Sequence, residues 1–200
     1  MNKGERTRQQ ILNQGMKYSG QYGLSEVTIG TVSALCGLSR TGVISHFKNK
    51  EDMQIAILEY SEAQFLEHVL KPARRPDPLE QLTALFDLWQ NWTERVFEQG
   101  QISCPLVKAL VEYQHRPDSA VRRFAIGQQQ RLLDYLVRLI HKGVSQGALK
   151  ADTPCEALAY ELFILNLGHT VTQSAAPFEG ARAHFEAAVQ ARLNQHRAVQ

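Results

Sequence analysis

Two hundred residues, 44% hydrophobic and 21% charged with only 13 glycines and 7 prolines, fit one large globular domain or two small ones and exclude a fibrous or low-complexity chain. The formal charge of +2 excludes a polycation, yet residues 1–50 hold Lys3, Arg6, Arg8, Lys17, Arg40, Lys48 and Lys50 against only Glu5 and Glu26, so the rest of the chain is net acidic. Cys36, Cys104 and Cys155 are scattered and form no CxxC pair, which argues against both a disulfide framework and a zinc site and suits a reducing compartment.

Hydrophobic spacing is helical almost throughout and period-2 alternation is rare, so an all-α fold of about nine helices is expected. The first helix is expected from Arg6 to Gln21, carrying Ile11, Leu12, Met16 and Tyr18 and stopping near Gly23. The stretch TIGTVSALCGLSRTGVISHFKNK, Thr28 to Lys50, then reads as two short helices joined by a tight turn. Thr28 is an N-cap, Val32 and Leu35 share a face, and Gly37 sits where a left-handed residue ends the helix. Leu38 plugs the turn, Ser39 is a second N-cap, and Val43 and Phe47 form an i, i+4 apolar pair. Arg40, Thr41, Ser45 and His46 are left to point outward. This is a helix-turn-helix whose second helix is short and polar enough to enter a DNA major groove. Asn49 caps a fourth helix from Lys50, with Met53, Ile57, Tyr60 and Leu66 along it, and Pro72, Pro76 and Pro78 then break the chain. The expected organisation is a three-helix head over residues 1–50, a connecting helix over 50–71, and a helical body over 72–200.

In the body, residues 78–99 read as one helix, 100–105 as a loop, and a short helix runs through Tyr113. A long helix from Pro117-Asp118 to Gln146 ends at Gly147, another runs from Pro154 to Ser174, and a last one starts at about Pro177. The helix over 154–174 is apolar on more than one side, with Leu158, Tyr160, Leu162, Phe163, Ile164, Leu165 and Leu167. Such a helix must be covered nearly all round, by the core on one side and by a second copy of the chain on the other. Residues 154–196 are therefore the expected homodimer surface; a fully buried central helix in a monomer is the alternative. The apolar run Leu162–Leu167 is interrupted by Asn166 and is too short to span a bilayer, so no membrane partner is expected. The opening MNKGERTRQQ has no apolar stretch of the kind a secretory leader carries, and a cytoplasmic location is expected.

The residues Ile11-Leu12, Gly23, the frame from Thr28 to Cys36-Gly37-Leu38-Ser39, and His46-Phe47-Lys48-Asn49-Lys50-Glu51 resemble the TetR family of bacterial transcriptional regulators. HFKNKE is the most specific piece, and the resemblance covers about residues 6–60. The GALKAD stretch at 147–152, ahead of a long apolar helix, also looks like that family's approach to its dimerisation helices. The resemblance implies a homodimer on a palindromic double-stranded DNA operator, most often a repressor released by a small-molecule inducer, with no metal and no resident cofactor. It places Arg40, Thr41, Gly42, Ser45 and His46 against bases or nearby phosphates, and Thr28 and Lys50 against the DNA backbone. Arg40 can fork onto guanine O6 and N7, and Gly42 permits close approach. Ile44 stands where the family usually has a tyrosine, so a phosphate bond is lost and contact with a thymine methyl gained. Gln14-Gly15 replaces a pair of alanines, at about 1 kcal/mol of helix propensity. The effector site implied in the body draws on Phe86, Trp89, Trp92, Tyr113, Phe163, Asn166 and His169, apolar with a few polar anchors. Cys104, in the ISCPL loop beside Pro105, resembles the position from which some relatives sense electrophiles or oxidants.

Two other classes compete. An enzyme would need a nucleophile, metal or phosphate motif, and no HExxH, GxSxG, Walker loop or GxGxxG stands in the chain. A helical protein-interaction module without DNA binding would have Ile44 in its favour.

Overall fold

The computed structural model describes residues 2–90, 92–97, 102–175 and 178–198. Among them the chain is all-helical: α1 Lys3–Tyr22, α2 Ile29–Cys36, α3 Arg40–Ile44, α4 Lys50–Phe65, α5 Pro78–Trp89, α6 Trp92–Phe97, α7 Pro105–Tyr113, α8 Ala120–Ser145, α9 Cys155–Ala175 and α10 Ala181–His196. The extended structure among the described residues is an isolated antiparallel bridge, Leu149 with Arg197. Contacts gather the chain into two compact units, Met1–Phe65 with Thr93–Gly127 and Leu66–Trp92 with Gln128–Gln200. This grouping differs from a division at residues 50 and 72, because α7 folds with the N-terminal helices.

In the first unit, α1 begins earlier than its apolar spacing suggests. Asn2 accepts from the Glu5 amide while the Glu5 carboxylate accepts from the Asn2 amide, a reciprocal cap that adds a turn before Arg6. Ile11 and Met16 of α1 and Met53 and Ile57 of α4 are fully buried. Each such side chain contributes about 1.5–3 kcal/mol on leaving water. Gly15 explains the close approach of the two helices: a Cβ there would stand 2.4 Å from Ile57 Cδ1 and 2.9 Å from its Cγ1. The weak helix former is kept because the facing isoleucine occupies its space.

In the second unit, a π-helical turn over Leu66–Leu70 follows α4, closed by the Lys71 amide on the Leu66 carbonyl at 2.9 Å. Asp77 caps α5 through the Leu79 amide at 2.7 Å, with Pro78 in the first turn where a missing N–H costs nothing. The single helix expected over 78–99 is two: α5 ends at Trp89, Gln90 is extended (φ −65°, ψ 136°), and α6 restarts at Trp92. Gln90 instead turns its amide onto Asn166, a bond across 76 residues that local spacing could not foretell. Gly147 ends α8 with φ +71°, as its position suggested. The last helix begins at Ala181; Pro177, its expected start, lies outside the described residues. Leu149 packs where a Cβ on Gly143 would stand, 2.8 Å away, and backbone bonds from Lys150 to His196 and from Ala198 to Ala148 tie this loop to the end of α10.

Candidate DNA-binding surface

The two-helix motif is built from local capping. Thr28 Oγ1 accepts from the Thr31 amide at 3.0 Å and opens α2. Gly37 closes it at φ +64°, ψ +33°, a conformation that favours glycine, and the Leu38 amide returns to the Ser33 carbonyl at 3.0 Å. Ser33 Oγ donates to the Leu38 carbonyl at 2.5 Å, so the turn is bonded on both sides. Ser39 Oγ accepts from the Gly42 amide at 3.0 Å and opens α3. A Cβ on Gly42 would lie 3.2 Å from that Oγ, so the glycine also makes room for the cap. Val43 and Phe47 are buried, as their i, i+4 spacing implies. The Arg8 guanidinium sits 5.4 Å from the centroid of Phe47, a cation–π contact that pins the end of the motif to α1.

Leu35 departs from the expected inner face: it is 43% exposed. The buried positions of α2 are Val32 and Ser33, and a residue midway between them is about 110° round the helix from position 35.

The outward face is polar and cationic with one apolar member. Arg40, Thr41 and Ser45 are exposed, Gly42 and His46 half-exposed, and Ile44 is 55% exposed. Among the described residues the Arg40 guanidinium makes no ion pair, and it lies against Gly30, whose Cβ position is 3.6 Å from Nη2. Ser45 Oγ is turned back onto the Gly42 carbonyl at 2.8 Å, and His46 meets Phe47 edge-on at 6.3 Å. Thr28 spends its hydroxyl on capping. Lys50, in the first turn of α4, donates from Nζ to the Ser25 carbonyl at 2.9 Å, which leaves two of its three N–H groups. Asn49 caps α4 through the Asp52 amide at 2.8 Å, and the Asp52 carboxylate accepts from the Lys48 amide at 2.9 Å.

The support of this surface is the part the sequence concealed. Glu112 of α7 accepts from the Leu24 amide at 2.8 Å and the Ser25 amide at 2.9 Å, and also bonds the Ser25 hydroxyl. Lys108, one turn earlier, donates to the carbonyls of Gly20 at 3.2 Å and Gln21 at 2.9 Å. Burial pulls the Lys108 ammonium below its usual pKa, and the Glu112 charge opposes that pull. The fully buried link is Gln54 of α4, which donates to the Leu24 and Val27 carbonyls at 2.7 and 3.2 Å and accepts from Tyr113 Oη at 3.1 Å. Together α4 and α7 hold the α1–α2 loop by its backbone. In sequence, Lys108 and Glu112 look like an ordinary i, i+4 surface pair, which is why they carry no signal.

The body residues divide. Phe86, Trp89, Phe163 and Asn166 are buried in the second unit, as is Trp92, and His169 is half-buried there. Cys104 and Tyr113 belong to the other unit by contacts. They lie in the first unit, Cys104 buried at the start of α7 and Tyr113 on Gln54. On α9, Leu158, Ala159, Leu162 and Asn166 face inward, while Tyr160 (57%), Ile164 (45%) and Val171 (40%) form an exposed apolar strip that passes open space at Gly168. Among the described residues no group of histidine, cysteine and carboxylate side chains could hold a metal, and no helix is long and apolar enough to cross a membrane.

Residues 78–191 match the tetracyclin repressor-like C-terminal domain. A segment of 80 residues is 35% identical to the HTH-type transcriptional regulator AcrR of Shigella flexneri, covering 39% of this chain and 37% of that relative, well under half of its length. A TetR transcriptional regulator from Chloroflexus aurantiacus superposes with a TM-score of 0.86 at 18% identity, over the whole of both chains. A regulator from Saccharomonospora viridis, solved in complex with choline, superposes with a TM-score of 0.78 at 18% identity over 98% of this chain and 100% of that one. At such identities the likeness is one of fold.

Proposed function

The chain belongs to the TetR family of transcriptional regulators, and from that premise we propose that it is a ligand-responsive, sequence-specific DNA-binding repressor acting as a homodimer on a palindromic operator. The observation that carries this reading is the capped α2–turn–α3 pair with Arg40 on its outer face, in no ion pair among the described residues. Arg40 reads guanine, Ile44 packs on a thymine methyl, and Thr41, Ser45 and His46 reach base edges or phosphates. Gly42 lets α3 approach. Thr28 acts by fixing the start of α2, and the remaining donors of Lys50 face the backbone. Sequences then differ mainly through Arg40 and Ile44, while the lysines supply salt-dependent, sequence-independent affinity.

The functional division is a head over residues 1–50, a connector over 50–71 and a body over 72–200. The exposed strip Tyr160, Ile164 and Val171 of α9 supports dimerisation through residues 154–196, because three large apolar side chains in line on one helix are costly to leave in water. Phe86, Trp89, Trp92, Phe163, Asn166 and His169 form the effector site. A small molecule bound there favours one of two head spacings and releases the operator. The fold neighbour bound to choline supports a small-molecule effector in general and does not specify this one. The protein works in the cytoplasm and is a regulator rather than an enzyme.

The test is selection from a random duplex pool by the full chain, followed by binding measurements at several salt concentrations. A palindrome with half-sites about 34–36 Å apart should emerge. Arg40→Ala should cost about 1–3 kcal/mol on it and little on random DNA. Equal affinity for all duplexes, with Arg40→Ala inert, refutes the proposal.

A further inference from the structure

In the second compact unit a ring of contacts runs through α5, α9 and α10. Asn166 of α9 is fully buried; its Oδ1 accepts from Gln90 Nε2 at 3.0 Å, and its Nδ2 has no hydrogen-bond partner among the described residues. One turn on, His169 stacks on Phe185 of α10 (centroids 4.6 Å apart, planes 20° apart), and its buried Nε2 also has no hydrogen-bond partner among the described residues. Phe185 meets Phe86 of α5 edge-on at 6.3 Å, and Phe86 stacks on Trp89 at 5.9 Å. Trp89 precedes Gln90, which closes the ring. Asn166 and His169, three residues apart on one helix, present these nitrogens on one face. An amide N–H buried without an acceptor costs about 1–3 kcal/mol, and folded proteins keep few such groups unless something else meets them.

Charge decides what that something is. Among the described residues the buried polar side chains are serine, threonine, asparagine and glutamine, with no carboxylate, lysine or arginine. Arg182, the cation that acts on His169, is already held by Asp87 at 2.8 Å and Glu186 at 2.7 Å. Glu186, which also acts on His169, is the partner of Arg182, so a charged guest would find no unpaired counter-ion there and would enter at a greater cost than a neutral one. Burial, and after it the Arg182 charge, lowers the His169 pKa against the opposing Glu186 charge, which favours the neutral ring with one donor and one acceptor nitrogen.

We propose that this ring binds the effector, and that the effector is an uncharged planar molecule whose carbonyl-type oxygen accepts from Asn166 Nδ2 while its flat body packs among the aromatic side chains. This rests on the reading of the body as an effector site and adds the ligand's class. A purely apolar guest would leave the Asn166 donor unpaired, whereas a carbonyl satisfies it. His169, in the tautomer that carries its proton on Nε2, donates to the same oxygen.

The test is thermal melting of the full chain with probes that share one benzene ring: acetophenone (neutral acceptor), ethylbenzene (no acceptor), benzoate (anion) and benzylamine (cation). Acetophenone should raise Tm and bind about tenfold tighter than ethylbenzene, the value of one hydrogen bond in a dry site. Asn166→Leu should bring acetophenone to the level of ethylbenzene. His169→Phe, which keeps the stack on Phe185, serves as a second variant: it should weaken acetophenone and leave ethylbenzene unchanged, and an inert His169→Phe overturns the proposal if Asn166→Leu does not fold. Acetophenone binding that survives Asn166→Leu overturns it as well. Tightest binding by benzoate or benzylamine, lost in Asn166→Leu, keeps an effector site and overturns the neutral class. Absence of binding by every probe also overturns the class; the effector reading itself fails separately, if no compound of any charge releases the selected operator.

Discussion

Glu112→Ala tests whether α7 holds the reading head in place. The substitution removes two charge-assisted bonds, from the Leu24 amide at 2.8 Å and the Ser25 amide at 2.9 Å, and the bond to the Ser25 hydroxyl. Leu24 is 1% exposed, so its N–H is left without water to replace the lost carboxylate. A hydrogen bond to a charged group contributes about 1.5–3 kcal/mol, and a buried donor left alone costs about 1–3. Ser25 and Glu112 are half-exposed, so water recovers part of the second bond. Alanine gains only a few tenths of a kcal/mol in helix propensity. The expected loss is about 2–4 kcal/mol in urea unfolding, with Glu112→Gln in between, since one carbonyl oxygen remains to accept. DNA affinity, measured well below the unfolding midpoint, should also fall, because the released loop leads directly into the Thr28 cap. A loss below about 0.5 kcal/mol, the size of an ordinary surface substitution, with DNA affinity intact would refute the clamp.

Gly15→Ala should destabilise by about 1–3 kcal/mol despite the better helix propensity, because the new methyl meets Ile57, and the penalty should shrink in an Ile57→Val background; urea titration of the paired variants checks this. Ile164→Asp should turn a dimer into a monomer in sedimentation velocity while leaving the helical signal unchanged, since Ile164 is 45% exposed within one chain. His169 has a folded-state pKa below its usual 6.5, so the unfolded chain binds the extra proton. Its contribution is therefore intact above that value and is lost as pH falls below it, and His169→Phe should flatten the acid side of the stability–pH curve below that value.

What the sequence could determine was whatever closes within a few residues. Thr28, Gly37, Ser39, Asn49 and Gly147 act through bonds or backbone angles that span at most about five positions, so their residue types suffice to place α2, α3, the start of α4 and the end of α8. The apolar excess of α9 was legible for the same reason, because amphipathicity is a property of one helix. Tertiary structure decided the rest. Glu112 reaches the Leu24 amide across 88 residues and Gln90 reaches Asn166 across 76. No local pattern separates such side chains from solvated ones. Leu35 reads as core by spacing and is exposed, because a two-turn helix has room to turn its face toward the partners it meets. The Gly15 that weakens α1 in isolation is explained only by Ile57 opposite it. A chain fixes its caps by proximity along the backbone; it fixes its clamps and binding sites only when distant segments exclude water together.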